Sequence, residues 1–262
     1  MSCTLITGAG GGLGRALARA FWQRGDNLVL ADLDPALLRA VVEELGDAGR
    51  IVCVAGDITD PAHREELVVR AQARFGGVKV LVNNAGITHR SPAAKTDPKV
   101  LRKVMEVDWQ APLELTLAAL PQLQAHRGAI VAIGSMAGWM PVLGRAFYCG
   151  AKAALAQSLE VLRCEQQHLG IHVLMAYPSF LDTPIEKNAL GHDGRPARHA
   201  RSTVGRLKDA DWMAARIVAA LEKRKKRVYS DRASVAASLL WRLAPDLYQR
   251  LMTRKFAVEL EQ

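Results

Sequence analysis

Short apolar runs alternate with longer amphipathic stretches along the first two thirds of the chain. The apolar runs are rich in Val, Ile and Leu with little polar alternation, as in strands that are covered on both faces. They predict strands at 2–6, 27–31, 50–54, 79–83, 129–134 and 171–176. The amphipathic stretches predict helices at 12–24, 35–47, 61–75, 98–124 and 147–169. This alternation indicates an α/β fold, a doubly wound parallel sheet of about seven strands flanked by helices.

The pattern changes after residue 184. Residues 186–208 carry Gly, Pro, His and Arg without a clean period, which we interpret as a mobile loop. A helix is predicted at 209–223, a last strand near 227–230 and an amphipathic helical tail at 233–257. No internal repeat or interdomain linker is visible, so we expect one domain over 1–262, in which 232–262 forms a basic amphipathic extension.

The composition is that of a soluble globular protein, with 50% hydrophobic and 23% charged residues among 262. Cys3, Cys53, Cys149 and Cys164 stand far apart, without a C-x-x-C pair or zinc-ligand spacing. This predicts free thiols, a reducing, cytoplasmic location and no metal site. No apolar stretch approaches the ~20 residues of a spanning helix, and the first residues carry no basic leader, so we expect neither a membrane span nor a signal peptide.

The net charge of +9 is unevenly distributed. Residues 191–262 contain 16 Lys or Arg against 8 Asp or Glu, whereas residues 1–190 contain 19 against 18. The basic part includes the run Lys223–Arg227 and the amphipathic tail. We favour solvated helices that dock on the domain or on a partner subunit, and peripheral contact with anionic lipid is the alternative. Without a nucleic-acid motif or interleaved aromatic residues, no nucleic-acid partner is expected.

A glycine-rich segment follows the first predicted strand and begins the first predicted helix. It has the form T-G-x-x-x-G-x-G, carried by Thr7, Gly8, Gly12 and Gly14. Glycines let the backbone approach a pyrophosphate, and the amide groups at a helix N-terminus can bind one. The segment therefore predicts a dinucleotide site of the Rossmann type.

Other strand ends support the same site. Asp32 ends the second strand at about the ~20-residue offset where an acid bonds the adenosine ribose hydroxyls. Its carboxylate would repel a 2′-phosphate, so NAD is favoured, although Arg15 after the last glycine leaves room for NADP. Asp57-Ile58 and Asn83–Gly86 end the third and fourth strands at the edge where open α/β sheets bind ligands.

Tyr148 and Lys152 are four residues apart in a helical stretch, so both side chains lie on one face. A nearby ammonium favours the tyrosinate and lowers the tyrosine pKa from its usual ~10, which makes the phenol a usable acid or base. Ser135 ends the fifth predicted strand, where its hydroxyl can bond a reacting oxygen. Together these residues predict a catalytic group.

In order and spacing, these segments resemble the short-chain dehydrogenase/reductases, in their single-domain branch of about this length. The resemblance covers residues 3–185 and includes a Pro178–Thr183 segment like the family's P-G-x-V-x-T. It implies hydride transfer between a nicotinamide cofactor and an alcohol or ketone, with Tyr148 as general acid/base, Ser135 orienting the substrate oxygen, and Lys152 binding the nicotinamide ribose and tuning Tyr148. The expected cofactor residues are Thr7, Gly8, Gly12, Leu13, Gly14, Asp32, Asp57, Ile58, Asn84, Ala85, Gly86, Tyr148, Lys152, Pro178, Leu181 and Thr183.

Two positions depart from the family pattern. Most members have an Asn before the catalytic strand that helps hold a water in a proton relay to the lysine, and this chain has Asp108 there. We expect Asp108 to keep that role with a shifted pH profile: an ionised Asp108 would favour the charged lysine, and a protonated one would imitate the amide. Ser179 replaces a usual Gly and would either narrow the nicotinamide pocket or donate a hydrogen bond.

Specificity in the family is set by segments that correspond here to Trp139–Leu143 and to the loop 185–208. The first is apolar, which favours a hydrophobic secondary alcohol or ketone, unless these residues merely pack under the loop. Relatives are usually homo-oligomers, so a dimer or tetramer is expected. The alternative function is a dinucleotide-binding sensor or interaction protein without turnover, and the presence of Ser135, Tyr148 and Lys152 favours the enzyme.

Overall fold

The structure is a computed structural model that describes residues 2–183, 189–197 and 207–257. Within that part of the chain, seven strands form one parallel sheet in the order β3-β2-β1-β4-β5-β6-β7. The strands are β1 (Cys3–Thr7), β2 (Asn27–Asp32), β3 (Ile51–Ala55), β4 (Val80–Asn83), β5 (Ala129–Ile133), β6 (His172–Tyr177) and β7 (Arg227–Tyr229). The direction of winding reverses between β1 and β4, so the carboxyl ends of these two strands flank a crevice.

Helices cover both faces of the sheet. They are α1 (Gly12–Gln23), α2 (Pro35–Leu45), α3 (Pro61–Phe75), α4 (Pro98–Met105), α5 (Ala111–Ala125), α6 (Ala146–Gln166), α7 (Ala210–Glu222), α8 (Arg232–Leu243) and α9 (Pro245–Lys255). One buried apolar cluster joins the sheet to α1, α2 and α7, and a second joins it to α3, α5 and α6. The predicted doubly wound Rossmann-type fold is confirmed.

Several helices begin where the sequence places an aspartate before a proline. Asp34, Asp60 and Asp97 each accept a hydrogen bond from a backbone N–H in the first turn of α2, α3 and α4. The following proline has no N–H to leave unsatisfied at that position. These starts fix the lengths of the connections between strands and helices.

The predicted helix at 98–124 is wrong in one respect, because a π-helical turn at Glu106–Gln110 separates α4 from α5. Pro112 explains the break: a proline in a regular α-helix clashes with the carbonyl four residues earlier, here that of Asp108. Widening the turn relieves that clash. Asp108 lies within the widened turn and is completely buried.

The predicted helical tail at 233–257 consists of two helices. Ala244 leaves the helical region, with φ −143° and ψ 68°, because the residue before a proline disfavours the α conformation. Pro245 then begins α9. The Tyr248 hydroxyl donates to the Pro141 carbonyl at 2.8 Å, so α9 packs on the segment that follows β5.

The loop predicted at 186–208 is described in part. Leu190 forms bridges with His89 and Pro196, and Lys208 forms one with Leu181. Residues 184–188 and 198–206 lie outside the described residues. In the described part of the chain, no helix combines the length and apolarity needed to cross a membrane. All four cysteines are free thiols, as predicted.

Candidate functional site

The glycine-rich turn brings bare backbone to the carboxyl end of β1. Gly8 has φ +64°, and a Cβ there would lie 2.9 Å from the Cα of Ala85. A Cβ on Gly14 would lie 1.9 Å from the Gly8 carbonyl oxygen, so both positions require glycine. Leu13, which precedes Gly14 in α1, is buried in the core. The turn therefore packs directly against the end of β4.

The N-terminus of α1 differs from those of α2, α3 and α4. Its N-cap residue is Gly11, and no side chain caps the helix. The first-turn N–H groups of α1 therefore lack an internal acceptor, in line with the helix dipole. This arrangement fits a phosphate or pyrophosphate.

Thr7 and Asn84 tie the turn to β4. The Thr7 hydroxyl accepts the N–H groups of Asn84 at 3.1 Å and Ala85 at 3.0 Å. The Asn84 amide donates in return to the carbonyls of Thr7 at 2.9 Å and Gly8 at 3.0 Å. The two predicted strand ends thus form one hydrogen-bonded floor to the crevice.

Asp32 lies beside the same turn. Its carboxylate accepts the N–H groups of Gly10 at 2.8 Å and Asp34 at 3.1 Å, which aims it across the mouth of the turn. Arg15 is engaged elsewhere, since its guanidinium pairs with Glu44 at 2.6 Å. The cation that could have offset the charge of Asp32 is therefore already neutralised.

Asp57 and Ile58 sit at the end of β3. The Asp57 carboxylate accepts the Thr59 N–H at 2.9 Å and lies 3.4 Å from the Lys103 ammonium. These hydrogen bonds and charges, the Thr59 N–H foremost, lower the pKa of Asp57. Ile58 is half-buried, and its side chain packs against the apolar core.

The residues predicted to be catalytic meet at the ends of β5 and α6. Lys152 is only 5% exposed, and its ammonium donates to the Ile133 carbonyl at 3.2 Å. The same nitrogen lies 5.7 Å from the centre of the Tyr148 ring. The Ser135 side chain lies close enough to the Tyr148 phenol to lower its pKa. The structure thus brings Ser135, Tyr148 and Lys152 together.

Asp108 completes this group. One carboxylate oxygen accepts the Ile87 N–H at 2.7 Å, and the other lies 3.6 Å from the Lys152 ammonium. A Cβ on Gly86 would lie 3.1 Å from Asp108 and 3.3 Å from Lys152, so the chain after β4 lies against both. The carboxylate occupies a position between the crevice floor and the lysine.

Burial and the positive charge of Lys152 shift the pKa values of Asp108 and Tyr148 in opposite directions. Burial raises the pKa of Asp108 above its ordinary 3.8, and the Lys152 ammonium opposes that rise. Burial also raises the pKa of Tyr148 above 10.0; Lys152 lowers it, and the negative charge of Asp108 raises it further. Asp108 therefore works against the lowering of the tyrosine pKa by the lysine.

The Pro178–Thr183 segment follows β6 at the same edge and is held by the tail. Ser179 donates its backbone N–H to the Ser230 hydroxyl at 2.8 Å, and its own hydroxyl accepts from Ser234 of α8 at 3.2 Å. Leu181 is buried. The serine that departs from the family pattern is thus a hydrogen-bonding link between this segment and α8.

Sequence reasoning missed two groups beside the site. His89 is fully buried and stacks on Phe147 at 4.9 Å between ring centroids, and burial lowers its pKa to about 4. Tyr248 reaches Pro141 from α9, more than a hundred positions away along the chain. The folded chain alone reveals both contacts, because no local motif marks a stacked histidine or a tyrosine in a tail.

The chain is similar to known proteins in both sequence and fold. The short chain dehydrogenase family matches residues 2–193. Dehydrogenase/reductase SDR family member 7B of Bos taurus is 33% identical over 260 residues, which span 96% of this chain and 80% of that protein.

Two solved structures share the fold. A short-chain dehydrogenase from Streptomyces avermitilis aligns with a TM-score of 0.82 at 29% identity, covering 98% of this chain and 97% of that one. A short chain dehydrogenase/reductase from Burkholderia phymatum, solved in complex with NAD, aligns with a TM-score of 0.83 at 25% identity over 94% of each chain.

The Thr7 hydroxyl gives a test of how the crevice floor is held. Thr7→Val keeps the shape but leaves the Asn84 and Ala85 N–H groups without their acceptor, so the free energy of unfolding should fall by about 1–3 kcal/mol. Thr7→Ser retains the hydroxyl and serves as the matched control. Urea unfolding measures both variants, and equal stability of the valine and serine variants would show that this bond does not hold the floor.

Proposed function

The chain belongs to the short-chain dehydrogenase/reductase family of oxidoreductases, and on that premise we propose that it transfers a hydride between NAD and a hydrophobic secondary alcohol or its ketone. The observation that carries the proposal is the convergence of Ser135, Tyr148 and Lys152 beside an uncapped helix N-terminus. One edge of the sheet thus offers an acid/base group and a dinucleotide cradle.

The residues at the crevice fit a dinucleotide. The free N–H groups of α1 suit the pyrophosphate, and the bare backbone at Gly8 and Gly14 leaves room for it. Asp32 would accept hydrogen bonds from the adenosine ribose hydroxyls. Asp57 and Ile58 would contact the adenine side of the dinucleotide. The nicotinamide side would be bound by Asn84–Gly86, Pro178, Leu181 and Thr183. When bound, the nicotinamide supplies the hydride donor or acceptor.

Tyr148 moves the proton in this proposal. As a phenol it donates to a carbonyl oxygen, and as a phenolate it accepts the proton of a hydroxyl group. Ser135 lies within hydrogen-bond reach of the phenol, so its hydroxyl can hold the same substrate oxygen. Lys152 supplies the positive charge that stabilises the phenolate, and Asp108 and the Ile133 carbonyl keep that ammonium in place.

The substrate class follows from the segment Trp139–Leu143. Trp139 packs on Tyr177 at 4.5 Å and on Tyr229 at 5.3 Å between ring centroids, so part of its surface belongs to the core. Val142 and Leu143 remain half-exposed. These two residues present apolar surface in the segment between Ser135 and Tyr148, which supports a substrate with a hydrophobic body.

Cofactor preference tests the proposal without a known substrate. Calorimetric titration should show tighter binding of NADH than of NADPH, because the Asp32 carboxylate faces the place of the 2′-phosphate. Asp32→Asn should narrow the ratio of the two dissociation constants by roughly tenfold or more, since like charges in contact cost several kcal/mol. Asp34→Asn removes a neighbouring charge, keeps the helix cap and should leave the ratio unchanged.

Two outcomes of this titration contradict the proposal. Tighter binding of NADPH would overturn the role of Asp32. Failure to bind either nucleotide would overturn the dinucleotide site itself and, with it, the proposed reaction.

The charge of Asp108 gives a second test. In Asp108→Asn the amide oxygen can still accept the Ile87 N–H, but the negative charge that raises the Tyr148 pKa is gone. The limb of the kcat/KM profile that reports Tyr148 should move to lower pH, in either direction of the reaction.

The control for this test is Asp97→Asn, which removes an exposed carboxylate from the start of α4 and keeps its capping oxygen. Its profile should match that of the natural protein. An unchanged profile in Asp108→Asn would contradict the proposed electrostatic role of Asp108.

A further inference from the structure

Four leucines of the C-terminal helices face solvent. Leu239 and Leu243 of α8 are 52% and 84% exposed, and Leu247 and Leu251 of α9 are 49% and 50% exposed. They recur at every fourth residue on both sides of Pro245. We call these four residues the leucine strip.

The leucine strip is not needed to attach the helices to the protein. The buried residues of α8 and α9 are instead Ser238, Tyr248 and Met252, which lie on another side of these helices. The Tyr248 hydroxyl and the contact of Arg242 over the Trp139 ring at 5.5 Å anchor that side. The tail therefore has two apolar faces, and only one of them is covered.

Basic side chains flank the leucine strip. Residues 232–257 contain five Lys or Arg and one acid, Asp246. Arg232, Arg250, Arg254 and Lys255 are exposed and form no ion pair with any described residue. Glu259 and Glu261 follow in the sequence and lie outside the described residues. The surface that surrounds the leucines is thus positively charged.

The other basic segment lies elsewhere. Lys223–Arg227 connects α7 to β7 and enters β7 from its amino end, at the opposite edge of the sheet from Tyr148. Arg227 is paired with Glu160 at 2.7 Å. This second set of cations therefore does not contribute to the surface of the leucine strip.

We propose that the leucine strip docks on an anionic phospholipid surface. An interfacial helix inserts its leucines among the acyl chains and places its arginines at the lipid phosphates, which is the pattern of α8 and α9. A second copy of the chain fits less well. A twofold contact would place the same patch against itself and bring Arg250 and Arg254 towards their own copies.

Lipid contact would place the proposed substrate segment close to the bilayer. The tail that carries the strip touches Pro141 and Trp139 and is hydrogen-bonded to Ser179. A hydrophobic alcohol or ketone could then enter from the lipid with a short path through water. This consequence rests on the proposed function, whereas the lipid contact itself does not.

Vesicle flotation of the full chain tests the contact independently of turnover. The protein should float with vesicles that contain phosphatidylcholine and phosphatidylglycerol, and much less with phosphatidylcholine alone. Leu243→Ser/Leu251→Ser should lose binding, on the order of tenfold or more in the partition coefficient. Leu117→Ser/Leu169→Ser, which changes leucines of 51% and 40% exposure elsewhere on the surface, should bind like the natural protein.

A charge-matched pair separates this surface from a general effect of net charge. Arg250→Gln/Arg254→Gln should weaken binding to the anionic vesicles by roughly tenfold or more. Lys223→Gln/Lys225→Gln removes the same charge from the opposite edge and should have little effect. Circular dichroism of each variant establishes that it is folded.

Three results would overturn the proposal. The first is that the natural protein fails to float with the anionic vesicles. The second is that the two charge variants lose binding equally, and the third is that Leu243→Ser/Leu251→Ser binds as well as its control. Light scattering adds a fourth: a lower native mass for Leu243→Ser/Leu251→Ser than for its control would assign the leucine strip to a second copy of the chain.

Discussion

The site depends on holding the ammonium of Lys152 in a place that water barely reaches. A buried charge is costly unless it is paired and hydrogen-bonded, and three separate parts of the chain meet that requirement. The end of β5 contributes the Ile133 carbonyl, the π-helical turn before α5 contributes Asp108, and Gly86 lets the chain after β4 approach both groups. The need to pair and hydrogen-bond the Lys152 ammonium therefore constrains how the ends of β4 and β5 pack against α5 and α6.

The identity of the residue opposite Lys152 then sets the electrostatics of the tyrosine. A carboxylate at 108 lies 3.6 Å from the Lys152 ammonium and adds a negative charge that raises the Tyr148 pKa. The resemblance to the family implies an amide at this place, which carries no such charge. The chain thus departs from the family pattern in the balance of charge around the phenol.

The sequence was sufficient to predict the features that repeat along the chain. Apolar runs located the strands, and because parallel strands end at one edge, the motifs after β1, β2, β3 and β4 were predicted to meet there. Contacts between distant segments left no such signal. Glu44 neutralises Arg15, and Ser234 binds Ser179, only after folding. The break at Pro112 does have a local cause, but helical periodicity on both sides of the proline concealed it.

The central claim is that Tyr148, beside Lys152, is the acid/base group of a working oxidoreductase. Consumption of NADH with a series of apolar ketones, compared between the natural protein and Tyr148→Phe, tests it most directly. The account predicts that the phenylalanine variant still binds NADH and loses turnover by roughly 10²–10⁴-fold, the usual contribution of a positioned acid or base. Equal turnover by the two proteins would contradict it.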